Sequence, residues 1–119
     1  MNIAKPQITL RLEGLAIFAA AIFGYAQLGL PWWGFIACLL IPDITIAFYA
    51  INTTVGSIVY NIAHTYTFPV ALLIVGLALG QTLMLAAALI WLAHIGMDRV
   101  AGYGLKYTTN FKDTHLARI

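Results

Sequence analysis

Apolar residues fill four stretches of this chain, at 12–28, 32–51, 55–79 and 81–101. A helix rises about 1.5 Å per residue, so about 20 such residues cross the hydrocarbon of a bilayer. Turn residues punctuate the runs: Gly29-Leu30-Pro31, Asn52-Thr53-Thr54, Gly80, and Gly102-Tyr103-Gly104. These connections are short, which makes consecutive helices antiparallel neighbours. The pattern predicts an all-α, integral membrane four-helix bundle, a single domain over 1–119. Four spans leave both termini on the same side, with residues 102–119 as an interfacial tail. Pro42 and Pro69 fall inside the second and third runs and predict kinks there. Ala19 to Ala21 and Ala86 to Ala88 offer surfaces on which helix backbones approach closely.

Composition excludes the soluble alternative. The chain is 62% hydrophobic and 8% charged, and between Gly14 and Met97 the only formally charged side chain is Asp43. A soluble domain carries about 25% charged residues to cover its surface. Cys38 is alone, which removes disulfide frameworks and cysteine metal knuckles. A net charge of +2 gives no reason to expect nucleic acid as a partner; membrane lipid is expected, with a homo-oligomer or a partner subunit compatible. The N-terminal stretch lacks a small-residue cleavage site after a short apolar core, so no removable signal peptide is expected. Lys5 and Arg11 precede the first run, Arg99, Lys106, Lys112 and Arg118 close or follow the last, and the internal connections carry no Lys or Arg. The positive-inside rule then places both termini in the cytoplasm. Trp32 and Trp33 mark the outer interface; Tyr103, Tyr107 and Phe111 suit the inner one.

The few polar residues within or beside the runs are Glu13, Asp43, Asn61, His64, His94 and Asp98. Counted from the terminal-side end of each helix, Asp43, His64 and His94 sit roughly 10–14 Å deep. Asp98 and Glu13 are shallower on the same side. A lone charge at mid-membrane costs about 2.5–3.5 kcal/mol, so such residues face inward and find partners. His94 and Asp98 share one helix face at i,i+4, and Asn61 and His64 share another at i,i+3, with Tyr60 one turn before His64. Asp43, His64, His94 and Asp98 therefore form a candidate metal-ligand set, with Tyr60 and Asn61 behind them. Two imidazoles and two carboxylates without a thiolate suit a divalent metal such as zinc, iron or manganese. A hydrogen-bonded network without metal is the alternative, with Asp98 beside Arg99 as an ordinary end-of-helix charge. A proton or small-solute pathway is a third reading, but the outer half offers little beyond Gln27, Thr67 and Gln81. Glu13 and His115 are the candidate acid/base groups, and the tail carrying His115 is a candidate lid.

The segments LRLEG, IPD, YNxxHTY, WLAHIGMDRxxGYGLKY and FKDTHL resemble an uncharacterised bacterial membrane-protein family, domain of unknown function family 4260, over residues 10–119. Ala117 stands where that family's pattern leads one to expect glycine. The resemblance implies a four-helix protein of the bacterial inner (cytoplasmic) membrane and no established activity. A second likeness is to LexA-regulated inner-membrane metal-dependent hydrolases, which carry PD, TH and H-x-x-x-D motifs in this order. Pro42-Asp43, His64-Thr65 and His94 to Asp98 match them; the second acid after PD and the second histidine before TH are missing. This likeness implies hydrolysis of a lipid-like substrate at a bound metal. The alternative function is a non-enzymatic scaffold or partner-binding bundle.

Overall fold

The computed structural model describes residues 5–107, 112 and 114–118; Phe111 lies outside the described residues. The elements are α1 (Pro6–Gln27), α2 (Trp32–Cys38), a 3-10 helix (Ile41–Ala50), α3 (Thr53–His64), α4 (Thr67–Leu79), α5 (Thr82–Ala101) and the short α6 (His115–Arg118). The protein is all-α, with four segments long and apolar enough to cross a membrane: Pro6–Gln27, Trp32–Ala50, Thr53–Leu79 and Thr82–Ala101. The first helix starts earlier than the apolar run suggests, because Pro6 suits a first helical turn, where its missing N–H costs nothing. Gln7 Nε2 donates to the Leu116 carbonyl at 3.3 Å, which brings the start of α1 and the tail together at one end.

The second and third spans are not kinked but broken. Each proline begins a new helix instead of bending an old one: Pro42 lies in the first turn of the 3-10 helix and Pro69 in the first turn of α4. Thr65, between α3 and α4, is extended at φ −101° and ψ 146°. A continuous helix would have needed an N–H from residue 69 to serve the Thr65 carbonyl, and proline has none. Asn52 caps α3, its side chain accepting from the Val55 N–H at 2.7 Å. Helices α4 and α5 end at Gly80 and Gly102, with φ of +63° and +92°, a left-handed conformation that glycine adopts without strain.

Helix α5 is the spine. It packs along α1 and α4 and touches α2, while α3 packs against the 3-10 helix. The first span therefore has the last as its chief neighbour. Ala21, Tyr25, Phe35, Ala86, Ile90, Leu92 and Ala93 form the apolar core. In it the Tyr25 ring meets Trp32 and Phe35 with centroids 4.9 and 5.1 Å away. Phe23, Ile36, Leu77 and Leu83 turn outward, as they must where the solvent is hydrocarbon.

The α1–α5 contact depends on glycine. A Cβ on Gly96 would lie 2.7 Å from the Gly14 carbonyl oxygen and 2.8 Å from the Phe18 nitrogen, both backbone atoms that cannot step aside. One on Gly24 would meet only the tip of Leu89, at 3.2 Å. Gly96→Ala is therefore expected to destabilise the detergent-solubilised protein by about 1–3 kcal/mol, and Gly24→Ala clearly less. Thermal unfolding of the two variants checks the order; equal losses would contradict the packing described.

Candidate metal centre

Both broken spans deliver a candidate ligand at the break. Asp43 follows Pro42 in the first turn of the 3-10 helix, and His64 is the last residue of α3. The carbonyls exposed at the end of α3 are satisfied from α5. Trp91 Nε1 donates to the Ala63 carbonyl at 2.5 Å, and Arg99 Nη2 donates to the His64 carbonyl at 3.0 Å. The same helix presents His94 and Asp98 between these two donors. One face of α5 thus holds the broken backbone in place and supplies the other half of the site.

Four atoms converge. His64 Nε2 lies 3.2 Å from Asp43 Oδ1, 3.1 Å from His94 Nε2 and 3.5 Å from Asp98 Oδ2. His94 Nε2 lies 3.2 Å from Asp43 Oδ1 and 3.2 Å from Asp98 Oδ2. One ligand atom from each of the four residues falls within 4.8 Å of all the others. Atoms about 2.0–2.2 Å from a single tetrahedral ion are about 3.3–3.6 Å from one another, close to what is seen for five of the six pairs.

The five contacts cannot all be hydrogen bonds at once. His64 Nδ1 lies 2.8 Å from the Tyr60 carbonyl, which only accepts, so that nitrogen carries the proton. In neutral His64, Nε2 then points a lone pair at two carboxylates and a second imidazole. A proton makes one good linear bond, and no placement of protons turns all five contacts into hydrogen bonds. The four atoms are close enough together that one divalent ion could take all of them as ligands. The Nδ1–H to carbonyl contact is also how a metal-binding imidazole is held in the right tautomer. His94 Nδ1 is buried without a hydrogen bond of good geometry, the Leu39 carbonyl being the backbone group that acts on it.

The centre is closed on the histidine side and open on the carboxylate side. His64 and His94 are 2% and 0% exposed, whereas the Asp43 side chain is 37% exposed. Asp43 and Asp98 border a cavity of about 260 Å³ whose other walls include Tyr60, Tyr103 and Lys106. The Tyr60 ring stacks on the His64 ring at 3.7 Å. Asn61 does not bond to the four clustered residues; its side chain donates to the Lys106 carbonyl at 2.8 Å and accepts from the Lys106 N–H at 2.6 Å. Lys106 is thereby fixed with its ammonium 4.9 Å above the Tyr60 ring. Burial pulls that ammonium below the usual lysine range, and the charges of Asp98 and Asp43 pull the other way.

The structure therefore brings Asp43, His64, His94 and Asp98 together, with Tyr60 against them. Glu13 is exposed on α1 and His115 sits in the tail; neither borders the cavity. His115 Nδ1 accepts from the Leu105 N–H at 2.8 Å, and the Leu105 carbonyl accepts from the His115 N–H at 2.9 Å. Together with the Lys106–Thr114 bridge and a bond from Ser57 Oγ to the Tyr107 carbonyl at 2.8 Å, this straps the tail across the end of the bundle. Asp113, beside it, lies outside the described residues. Sequence reasoning missed Trp91 and Arg99 as backbone caps, and Lys106 as a cavity wall. The one available signal was an indole and a guanidinium on the helix that carries His94.

Residues 7–119 match the model of a family described as Domain of unknown function (DUF4260). No curated protein and no solved structure matches the chain.

The tail strap carries a pH dependence. Burial, with the charge of Arg99 adding to it, pushes the His115 imidazole below its usual value of 6.5, against a smaller upward pull from the Leu105 backbone. Strapped His115 is thus neutral where free His115 begins to charge. Docking is complete above 6.5 and weakens as the pH falls below it, by up to about tenfold per unit. The hydrogen-exchange protection factor of the Leu105 amide is expected to fall accordingly, and His115→Gln to abolish the dependence. Flat protection in the wild type would contradict the assignment.

Proposed function

The chain belongs to the DUF4260 family, whose description assigns no activity, and we propose from the site itself that the protein is a membrane-embedded metalloprotein. Asp43, His64, His94 and Asp98 are its metal ligands. The observation that carries this reading is the convergence of two imidazole nitrogens and two carboxylate oxygens at the mutual spacings of ligands around one ion. The donor set suits zinc, iron or manganese.

Chemistry follows from the open side. A structural ion is enclosed by its ligands, whereas a catalytic one keeps a position for water or substrate. The cavity beside Asp43 and Asp98 offers such a position. A bound divalent ion lowers the pKa of its water to about 7 and polarises an ester oxygen. Hydrolysis of an ester on a lipid-like substrate is the reaction that fits a polar cavity set within spans of this length: water adds across the scissile bond, giving an acid and an alcohol. Tyr60 and the chain around it hold His64 in its tautomer. The basic flanks of the first and last spans favour a site opening to the cytoplasm of a bacterial inner membrane. A bundle knitted by His–Asp hydrogen bonds alone is less well supported, because the five contacts outnumber the protons available to make them.

Metal analysis of the purified protein is expected to give one ion per chain. His64→Ala and His94→Ala are expected to weaken binding at least tenfold, while a folded, monodisperse elution is retained. A wild-type protein that takes up no stoichiometric zinc, iron or manganese in any preparation overturns the reading.

A further inference from the structure

We propose that two apolar cavities beside the centre hold the acyl chain of the substrate, so that the ester cleaved there is one of a long, straight-chain fatty acid. This deepens the metalloprotein reading and rests on it.

The space exists because α5 is not covered evenly. It packs along α1 and α4 but only touches α2, and the 3-10 helix has its partner in α3. Small residues on either side, Gly34 and Cys38 of α2 and Ala86 and Ala87 of α5, leave the gap unfilled. One cavity, of about 360 Å³, lies among these residues, Trp33 and Leu83. A second, of about 310 Å³, is lined by Pro42, Thr45, Ala63 and Trp91. Cys38 and Ile41 wall both, so the two adjoin.

Helix α5 ties these cavities to the ligands. Leu83, Ala87, Ile90 and His94 recur at helical spacing and share one face. From Leu83 to His94 the helix rises about 16 Å, at about 1.5 Å per residue. At the near end, Pro42 and Ala63 are the chain neighbours of Asp43 and His64, and Trp91 stands one turn before His94.

Size and polarity select the occupant. Both linings are almost entirely apolar, so a charge or an unpaired polar group placed there would be costly. Strung along about 16 Å, these volumes make a passage narrower than the about 10–12 Å of a helix with its side chains. A helix from a partner or a second copy does not fit it; a hydrocarbon chain does. Trp33, Ile41 and Leu83 at the rim are exposed, which lets a chain enter sideways from the bilayer.

The cavities also follow the order of a lipid. The polar one, with Tyr60 and Tyr103 in its walls, lies toward the tail. The apolar ones run from the ligands back to the start of α5. A lipid in the leaflet on the tail side has headgroup, ester and chain in that sequence, with the ester at the level of Asp43. Water adds across the acyl C–O bond; the acid keeps its chain in the apolar cavities, and the alcohol leaves on the polar side.

The test uses the full chain in uncharged detergent, loaded with one equivalent of zinc. The probe is hexadecanoic acid, the acid product of such an ester, which offers a carboxylate to the ion and a chain to the cavities. Two photoreactive forms carry a diazirine next to the carboxylate or at the chain end, and mass spectrometry identifies the crosslinked residues. The first is expected to mark Thr45 and Trp91 and the second Leu83 and Ala87, each at least tenfold above Phe23 and Leu77, which are exposed elsewhere. EDTA is expected to spread both labels over the bundle. Ala87→Phe, which fills the far cavity, is expected to keep zinc at one per chain and to lower chain-end labelling of Leu83 about tenfold; Ala87→Ser is expected to leave it unchanged. Zinc-loaded wild type that labels Phe23 and Leu77 as strongly as the cavity residues overturns the proposal while leaving the metal reading standing. So does a cavity pattern that EDTA leaves unchanged, which marks ordinary lipid contact. So does an Ala87→Phe protein that keeps both its zinc and full labelling of Leu83. Failure of the wild type to hold zinc, iron or manganese overturns both readings.

Discussion

A carbonyl or carboxylate inside a bilayer has no water to turn to, and two proline breaks put several such groups in one place. Much of the rest of the structure answers that constraint. Trp91 and Arg99 donate to the carbonyls stranded where α3 stops, and His94 and Asp98, between them on the same helix, meet Asp43 and His64. This is why half of the α5 span is buried while no other span exceeds 17%. The remaining helices present most of their surface to lipid and turn their few polar groups toward α5. Gly96 and Gly14 let α1 come close enough to seal the other side of that helix.

The same arrangement explains why the centre is open on one side only. The imidazoles come from positions deep in the packing, whereas Asp43 comes from a 3-10 helix at its edge. The gap is walled by the tail, which Asn61, Ser57 and His115 hold across the end of the bundle. A buried lysine is tolerable there because its charge is shared with the carboxylates, and its position follows from clamped backbone. The α3 break, its caps on α5, the four clustered side chains and the tail strap are joined by hydrogen bonds of ordinary length.

The sequence was most informative where lipid makes polarity expensive. Four apolar runs gave the four spans, and counting depth along them put Asp43, His64 and His94 at one level, with Asp98 shallower on the same side. The structure brings those four residues together. Breaks instead of kinks at Pro42 and Pro69 were not legible, because the outcome depends on whether a distant side chain can serve the freed carbonyl. Where α3 stops, Trp91 and Arg99 serve the Ala63 and His64 carbonyls from about thirty residues away. Arg99 read as an end-of-helix charge and Lys106 as a tail charge for the same reason. Asn61 shares a face with His64, yet its partner is the Lys106 backbone, a pairing set by the return of the tail and not by helix spacing. Glu13, a candidate acid/base group in the sequence, stays exposed on α1 and does not border the cavity.

The central claim is that four named atoms surround one ion. X-ray absorption at the zinc edge of zinc-loaded protein measures this directly. The account predicts a nearest-neighbour shell of nitrogen and oxygen at about 2.0–2.2 Å and outer scattering from two imidazole rings, one of which disappears in His94→Ala. A shell of oxygen alone, with no imidazole scattering and no response to that substitution, would contradict it.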